Sequence, residues 1–355
     1  GTARPSGQNP DIGPFTFAPL SGDWQLDTDG DSLTDNVEYI LGSFRLHEDS
    51  DKDKMPDGYE FEYGFDIGFY EHSVDGDGDG FFNDIEAAWG TDPVDSQDFP
   101  ALPGPNAKGT AELFVVDPSQ PVTAYEKQTI QAAINAAGDG DVIVVTPGDY
   151  FESLTIHYAG HGFFIHMQAG ARLAGPGSNT GLEILNVTGI RFYGGEISGY
   201  QRGIFANETD LKMHSVKISG NGTAIEVKKC NGGSPTFTNC LITDNSSNIG
   251  WLYHPIYVTG GSPVFRNCTI VDNKNPRGTA AACMIHYNGC YSGRAANVKF
   301  ENCIIWNPEY PLQVKEGPTG ESVARAHIYG SIVFDGNADG EPDVTATTLQ
   351  GISTL

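Results

Sequence analysis

From about residue 122 onward the apolar positions fall into short alternating bursts that return at irregular intervals. GGEIS from Gly194, SVKIS from Ser215, NCLIT from Asn239, NCTIV from Asn267, NCIIW from Asn302 and GSIVF from Gly330 superimpose with offsets of 21, 24, 28, 35 and 28 residues. The constant part, alternating with period two, reads as strand, and the variable part as loop. A second burst keeps step with the first: GIFAN from Gly203, AIEVK from Ala224, PIYVT from Pro255, MIHYN from Met284 and PLQVK from Pro311. Strands this short cannot bury a face alone, so successive coils must stack into a solenoid of parallel strands. Upstream, Thr129 to Ala137 carries helical periodicity, and Val142 to Val145 forms an apolar run after Gly-Asp-Gly-Asp.

The repeat resembles the right-handed parallel β-helix superfamily of pectate lyases and many bacterial surface proteins, with a capping helix near Ile130 to Ala136. That resemblance implies fold more than function, because the solenoid hosts many activities.

The N-terminal third has a different texture. DTDGDSLTDNVE (27–38), DSDKDKMPDGYE (49–60) and DGDGDGFFNDIE (75–86) share one twelve-residue frame with oxygen side chains at positions 1, 3, 5, 9 and 12. Carboxylates two residues apart, closed by a Glu at position 12, suit a hard cation that takes six to eight oxygens, and the backbone carbonyl of position 7 adds one more. The expected ligands are Asp27, Asp29, Asp31, Leu33, Asp35 and Glu38; Asp49, Asp51, Asp53, Met55, Asp57 and Glu60; and Asp75, Asp77, Asp79, Phe81, Asn83 and Glu86, with Leu33, Met55 and Phe81 acting through the main chain. A Gly follows each Glu by four residues, at Gly42, Gly64 and Gly90. These units resemble thrombospondin type-3-like calcium repeats, which implies Ca²⁺ as the cofactor. Position 6 is glycine only at Gly80; Ser32 and Lys54 hold it elsewhere, where a left-handed turn is less comfortable.

The predicted organisation is therefore an extended arm over 1–26, three calcium repeats over 27–98, a linker over 99–121 and a mainly β solenoid over 122–355. Charge reinforces the division. Residues 23–98 hold 23 of the 46 acids and three bases, so twenty of the 26 net negative charges lie there. Without cations such a segment repels itself, and bound metal becomes folding free energy. Abundant calcium points to an extracellular or cell-surface setting, and export would account for a chain beginning at Gly1 without Met. The low isoelectric point disfavours nucleic acid, and no long apolar run predicts membrane insertion.

Cys240, Cys268 and Cys303 recur in one column two residues before Ile242, Ile270 and Ile305, so alternation points them inward as free, buried thiols. Asn239, Asn267 and Asn302, just before them, are expected to stack at the turn and cap backbone groups with their amides. If Ile204, Ile225, Ile256, Ile285 and Leu312 face inward, then Phe205, Glu226, Tyr257, His286 and Gln313 form an outer column, with Lys228 in the next. Tyr257, His286, Lys228 and Glu226 are the candidate catalytic set for a polysaccharide lyase. Trp251, Tyr253, His254 and Arg277, on the long loops feeding those strands, are the candidate glycan contacts. Glu183 and Glu226, two coils apart in one column, allow a weaker glycosidase reading. An exposed sheet face carries assorted polar residues in any case. The favoured function is a non-catalytic surface or matrix protein, adhering to other surface proteins or self-assembling into filaments or an envelope layer; the alternative is a secreted polysaccharide lyase or glycan binder.

Overall fold

The computed structural model describes residues 26–68, 74–100, 104–106, 109–157, 162–228, 234–246, 254–274, 283–286, 296–306, 312–315, 324–334, 344–345 and 349–350. The chain divides into two compact units, 1–101 and 102–355.

In the first unit each acidic loop leads into a helix of seven residues: Asp35–Leu41, Asp57–Tyr63 and Asn83–Trp89. The helices begin at position 9 of the frame, so the position 12 glutamate sits in the first turn. Each ends at its glycine, where φ is 89°, 79° and 75° at Gly42, Gly64 and Gly90. The glycine N–H returns to the carbonyl of Glu38, Glu60 or Glu86, a left-handed cap that a residue without Cβ adopts without strain. That is the physical meaning of the Glu-to-Gly spacing. Leu33, Met55 and Phe81 are buried, and with Phe82 and Ile85 they give the unit an apolar interior.

The second unit is the expected parallel β-helix. Among the described residues it has one sheet of twelve strands and two of eight. A coil runs, for example, through Arg191–Tyr193 in the first sheet, Glu196–Ser198 in the second and Arg202–Asn207 in the third. The second sheet reproduces the first sequence repeat residue for residue, since Glu196, Lys217, Leu241, Thr269, Ile304 and Ile332 pair in order. Its inward column, Ile197, Ile218, Ile242, Ile270 and Ile305, is fully buried. Each such side chain contributes roughly 1.5–3 kcal/mol of apolar burial. Cys240, Cys268 and Cys303 are free and buried, each thiol lying against main-chain carbonyls. Neighbouring thiols in the column, and then burial, push Cys268 and Cys303 well above the usual thiol range.

The twelve-strand sheet lies outside the two strand bursts predicted above, although its column Phe237, Phe265 and Phe300 stands three residues before Cys240, Cys268 and Cys303. Its short strands bring Phe237, Phe265 and Phe300 into a buried stack with ring centroids 4.9 and 5.2 Å apart. This sheet starts earlier than predicted: Glu112–Val116, inside the stretch expected as linker, pairs in parallel with Val142–Val145. The helix Ile130–Ala136 forms where predicted. Thr129 accepts from the Ala132 N–H, and the Glu152 carboxylate, one coil on, accepts from Ile130 and Gln131.

The asparagine expectation needs correction. Asn239, Asn267 and Asn302 supply left-handed backbone at the turn between the first and second sheets, with φ of 54°, 51° and 54°. The amide ladder lies at the next turn, where Asn221, Asn245 and Asn273 are buried. The Asn221 amide donates to Asn245 at 3.1 Å and the Asn245 amide to Asn273 at 2.9 Å. Each also donates to a main-chain carbonyl one coil back, that of Ile197, Ile218 or Ile242. The left-handed turn selects Asn for its backbone tolerance. The buried turn selects it for two donors and an acceptor in a small volume.

Candidate metal centres and the outer solenoid face

Each acidic loop gathers its first three aspartates. In Asp27, Asp29 and Asp31, in Asp49, Asp51 and Asp53, and in Asp75, Asp77 and Asp79, one carboxylate oxygen from each residue lies within 4.8 Å of the others. The backbone explains how. Position 1 accepts the position 4 N–H at 2.6, 2.6 and 2.7 Å in the three loops, and the position 6 N–H at 3.0, 2.8 and 3.2 Å. Position 6 is left-handed in all three, at Ser32, Lys54 and Gly80, with φ of 83°, 82° and 102°. Position 9 ties the loop's start to its helix: Asp35, Asp57 and Asn83 accept the position 2 N–H at 3.1, 2.8 and 2.9 Å.

Position 12 stands apart. Glu38, Glu60 and Glu86 are 0% exposed, and both carboxylate oxygens of each are buried without a hydrogen-bond partner. Burial, followed by the aspartates of the same loop, pushes Glu38 up to about 7 and Glu60 and Glu86 up to about 9. Burial and neighbouring aspartates likewise push Asp51 and Asp79 up to about 6. Buried carboxylates facing other carboxylates are strongly unfavourable unless a cation compensates them. Hard oxygen donors from positions 1, 3, 5 and 12 match what Ca²⁺ requires.

On the third solenoid sheet Glu183, Phe205, Glu226 and Tyr257 do share a column. The next residue in it is Met284, not His286, because Cys283 lies opposite Ile256 and Met284 opposite Tyr257. The predicted alignment slipped by two residues. Since side chains alternate with period two, a slip of two residues leaves the pattern of alternation unchanged. His286 instead pairs with Lys315. Tyr257 and His286 are therefore not directly opposite one another, as the proton-transfer pair had been expected to be.

Glu226 is 1% exposed and spanned by two cations, Arg202 Nη1 at 2.8 Å on Oε2 and Lys228 Nζ at 3.1 Å on Oε1. The same cations lie 4.6 and 5.1 Å from the centroid of the Phe205 ring. Tyr257 is raised above the ordinary phenol range, first by burial and then by the Glu226 charge. Both oxygens of Glu226 are engaged by cations, and a phenol raised above its ordinary range is a poor base at neutral pH. His254 is also not the open wall expected of it: it is 5% exposed and stacks on Tyr257 at 5.9 Å. Trp251, Tyr253 and Arg277 lie outside the described residues, and of His286 only the strand position is described. Arg202 escaped the sequence reading; its signal is its place two residues before the inward Ile204. Also missed was the column His166, Tyr193 and His214 on the first sheet, where Tyr193 and His214 stack at 5.3 Å. Burial lowers His166 to about 4.

The chain matches the right handed beta helix region family over residues 141–330 and belongs to it. Among solved structures, a deglycosylated pectin methylesterase from Aspergillus niger is similar at 16% identity and a TM-score of 0.42, over 71% of this chain and 93% of that one. Pectate lyase Pel9A is similar at 13% identity and a TM-score of 0.36, over 64% of this chain and 78% of that one. No curated protein matches the sequence. Among the described residues no helix is long and apolar enough to cross a membrane.

Proposed function

We propose that this chain is a calcium-stabilised extracellular structural protein, in which three ions fold the acidic module and a rigid β-helix supplies surface for association with itself or with other surface molecules. The observation that carries the reading is the set of three buried glutamates, Glu38, Glu60 and Glu86, whose oxygens have no partner. Bound Ca²⁺ would supply the positive charge each loop lacks. The aspartates at positions 1, 3 and 5 and the glutamate at position 12 would present oxygens to the ion, and Asp27, Asp49 and Asp75 also brace the loop backbone. On the solenoid, Arg202 and Lys228 each occupy one oxygen of Glu226, which favours a structural face over catalysis.

A second reading has one observation in its favour. Phe205 and Tyr257 alternate with charged side chains along one outer column, an arrangement suited to holding a glycan without cleaving it. Light scattering and electron microscopy of the purified protein, with millimolar Ca²⁺ and after chelation, test the first reading. Assemblies that dissolve on chelation support it. Monomers in both conditions, together with retention on an immobilised acidic glycan, favour the second.

A further inference from the structure

We infer that the first two calcium sites fill as a coupled pair, linked by a bond from Gly58 to Asp31. The inference rests on the calcium reading above. Asp31 is position 5 of the first loop. Its Oδ1 accepts from the Leu33 N–H at 2.7 Å within the loop, and its Oδ2 accepts from the Gly58 N–H at 3.0 Å, 27 residues further on. Gly58 is the second residue of the helix Asp57–Tyr63. That helix carries Glu60, position 12 of the second site, and opens with Asp57, whose carboxylate holds the N–H and hydroxyl of Ser50 in the second loop. One element therefore presents a ligand to the second site and positions a ligand of the first.

Two further features make the link specific. First-turn N–H groups have no acceptor within their own helix, and Pro56, at the N-cap, provides no side-chain bond, so a carboxylate from the neighbouring repeat fills that role. The backbones also meet closely: a Cβ at position 58 would lie 2.0 Å from the Asp31 carbonyl oxygen, so only glycine fits. Closing the second loop fixes Asp57 and Glu60, hence the Gly58 N–H, hence the Asp31 carboxylate before the first ion arrives. By linkage the first ion must favour the second equally.

The test is a thermodynamic cycle on the full chain, read by calorimetric Ca²⁺ titration with native mass spectrometry to count ions. Glu86→Gln leaves sites one and two. Glu60→Gln with Glu86→Gln leaves site one, and Glu38→Gln with Glu86→Gln leaves site two. The expected result is that the product of the two stepwise association constants in Glu86→Gln exceeds the product of the single-site constants by about fivefold or more. Gly58→Ala in the Glu86→Gln background should remove the excess, but the cycle stands without it if that variant fails to fold. Equal products, with three ions bound by the unaltered protein, would overturn the coupling and leave the calcium reading intact. No ion bound by the unaltered protein would overturn both.

Discussion

Arg202 donates from Nη1 to Oε2 of Glu226 at 2.8 Å, closing a carboxylate that is 1% exposed on the outer side of the third sheet. Removing one partner of a buried pair leaves the other charge uncompensated, a loss of about 3–5 kcal/mol when no second partner remains. Because Lys228 also reaches Glu226, Arg202→Met should cost less, roughly 2–3 kcal/mol, and Arg202→Met with Lys228→Met the full amount. Urea unfolding of the solenoid transition checks this. Equal stability of the single and double variants would show that Lys228 adds nothing.

The position 12 glutamates set a pH dependence. Their folded values of about 7 for Glu38 and about 9 for Glu60 and Glu86 lie above the ordinary 4.5, so the folded, ion-free module holds protons the unfolded chain has released. Their contribution is fully present below 4.5 and is lost as pH rises through 7 to 9. In chelator, the module's thermal midpoint should fall steadily from about pH 5 to about pH 9. With calcium the trend should reverse, because the ions bind the ionised form. Thermal unfolding followed by circular dichroism measures both, and parallel profiles would contradict the assignment.

Ser32 and Lys54 hold a left-handed conformation that Gly80 supplies in the third loop. A residue with a Cβ loses roughly 1–2 kcal/mol there, part of which glycine returns through its freer unfolded state. Ser32→Gly and Lys54→Gly should each stabilise the module by up to about 1 kcal/mol, and Gly80→Ala should destabilise it by a similar amount. Thermal midpoints in saturating calcium decide the sign.

The two asparagine columns should respond differently. Asn245→Ala removes the donor to Ile218 and the link to Asn273, leaving buried acceptors unsatisfied, and should cost about 3 kcal/mol. Asn267→Gly keeps the φ of 51° without strain and should change stability by less than about 1 kcal/mol. Similar losses at both positions, read by denaturant midpoint, would mean that the turns are built alike.

These columns also show what the sequence could disclose. The Asn-Cys-x-Ile repeat was visible because inward isoleucine, inward cysteine and left-handed asparagine each answer a separate constraint at a fixed offset. Asn221, Asn245 and Asn273 sit at an equally fixed offset, three residues after Ile218, Ile242 and Ile270, but among polar loop residues that hide them. Strands of the twelve-strand sheet such as Arg191–Tyr193 are no shorter than those of the second sheet, and Phe237, Phe265 and Phe300 stand three residues before Cys240, Cys268 and Cys303, a recurrence that the Asn-Cys-x-Ile frame leaves out. The slip that misplaced His286 has a different root, since period-two patterning cannot distinguish registers two residues apart. In the acidic module oxygen side chains recur at positions 1, 3, 5, 9 and 12, which is why its loops were legible, and the left-handed glycines mark where its short helices end.

The most direct test of the account is an ion count. Native mass spectrometry in calcium, on the unaltered chain and on Glu38→Gln, Glu60→Gln and Glu86→Gln combined, should give three bound ions and none respectively. Retention of three ions by the triple variant, or none by the unaltered chain, would contradict the assignment of the buried glutamates to calcium.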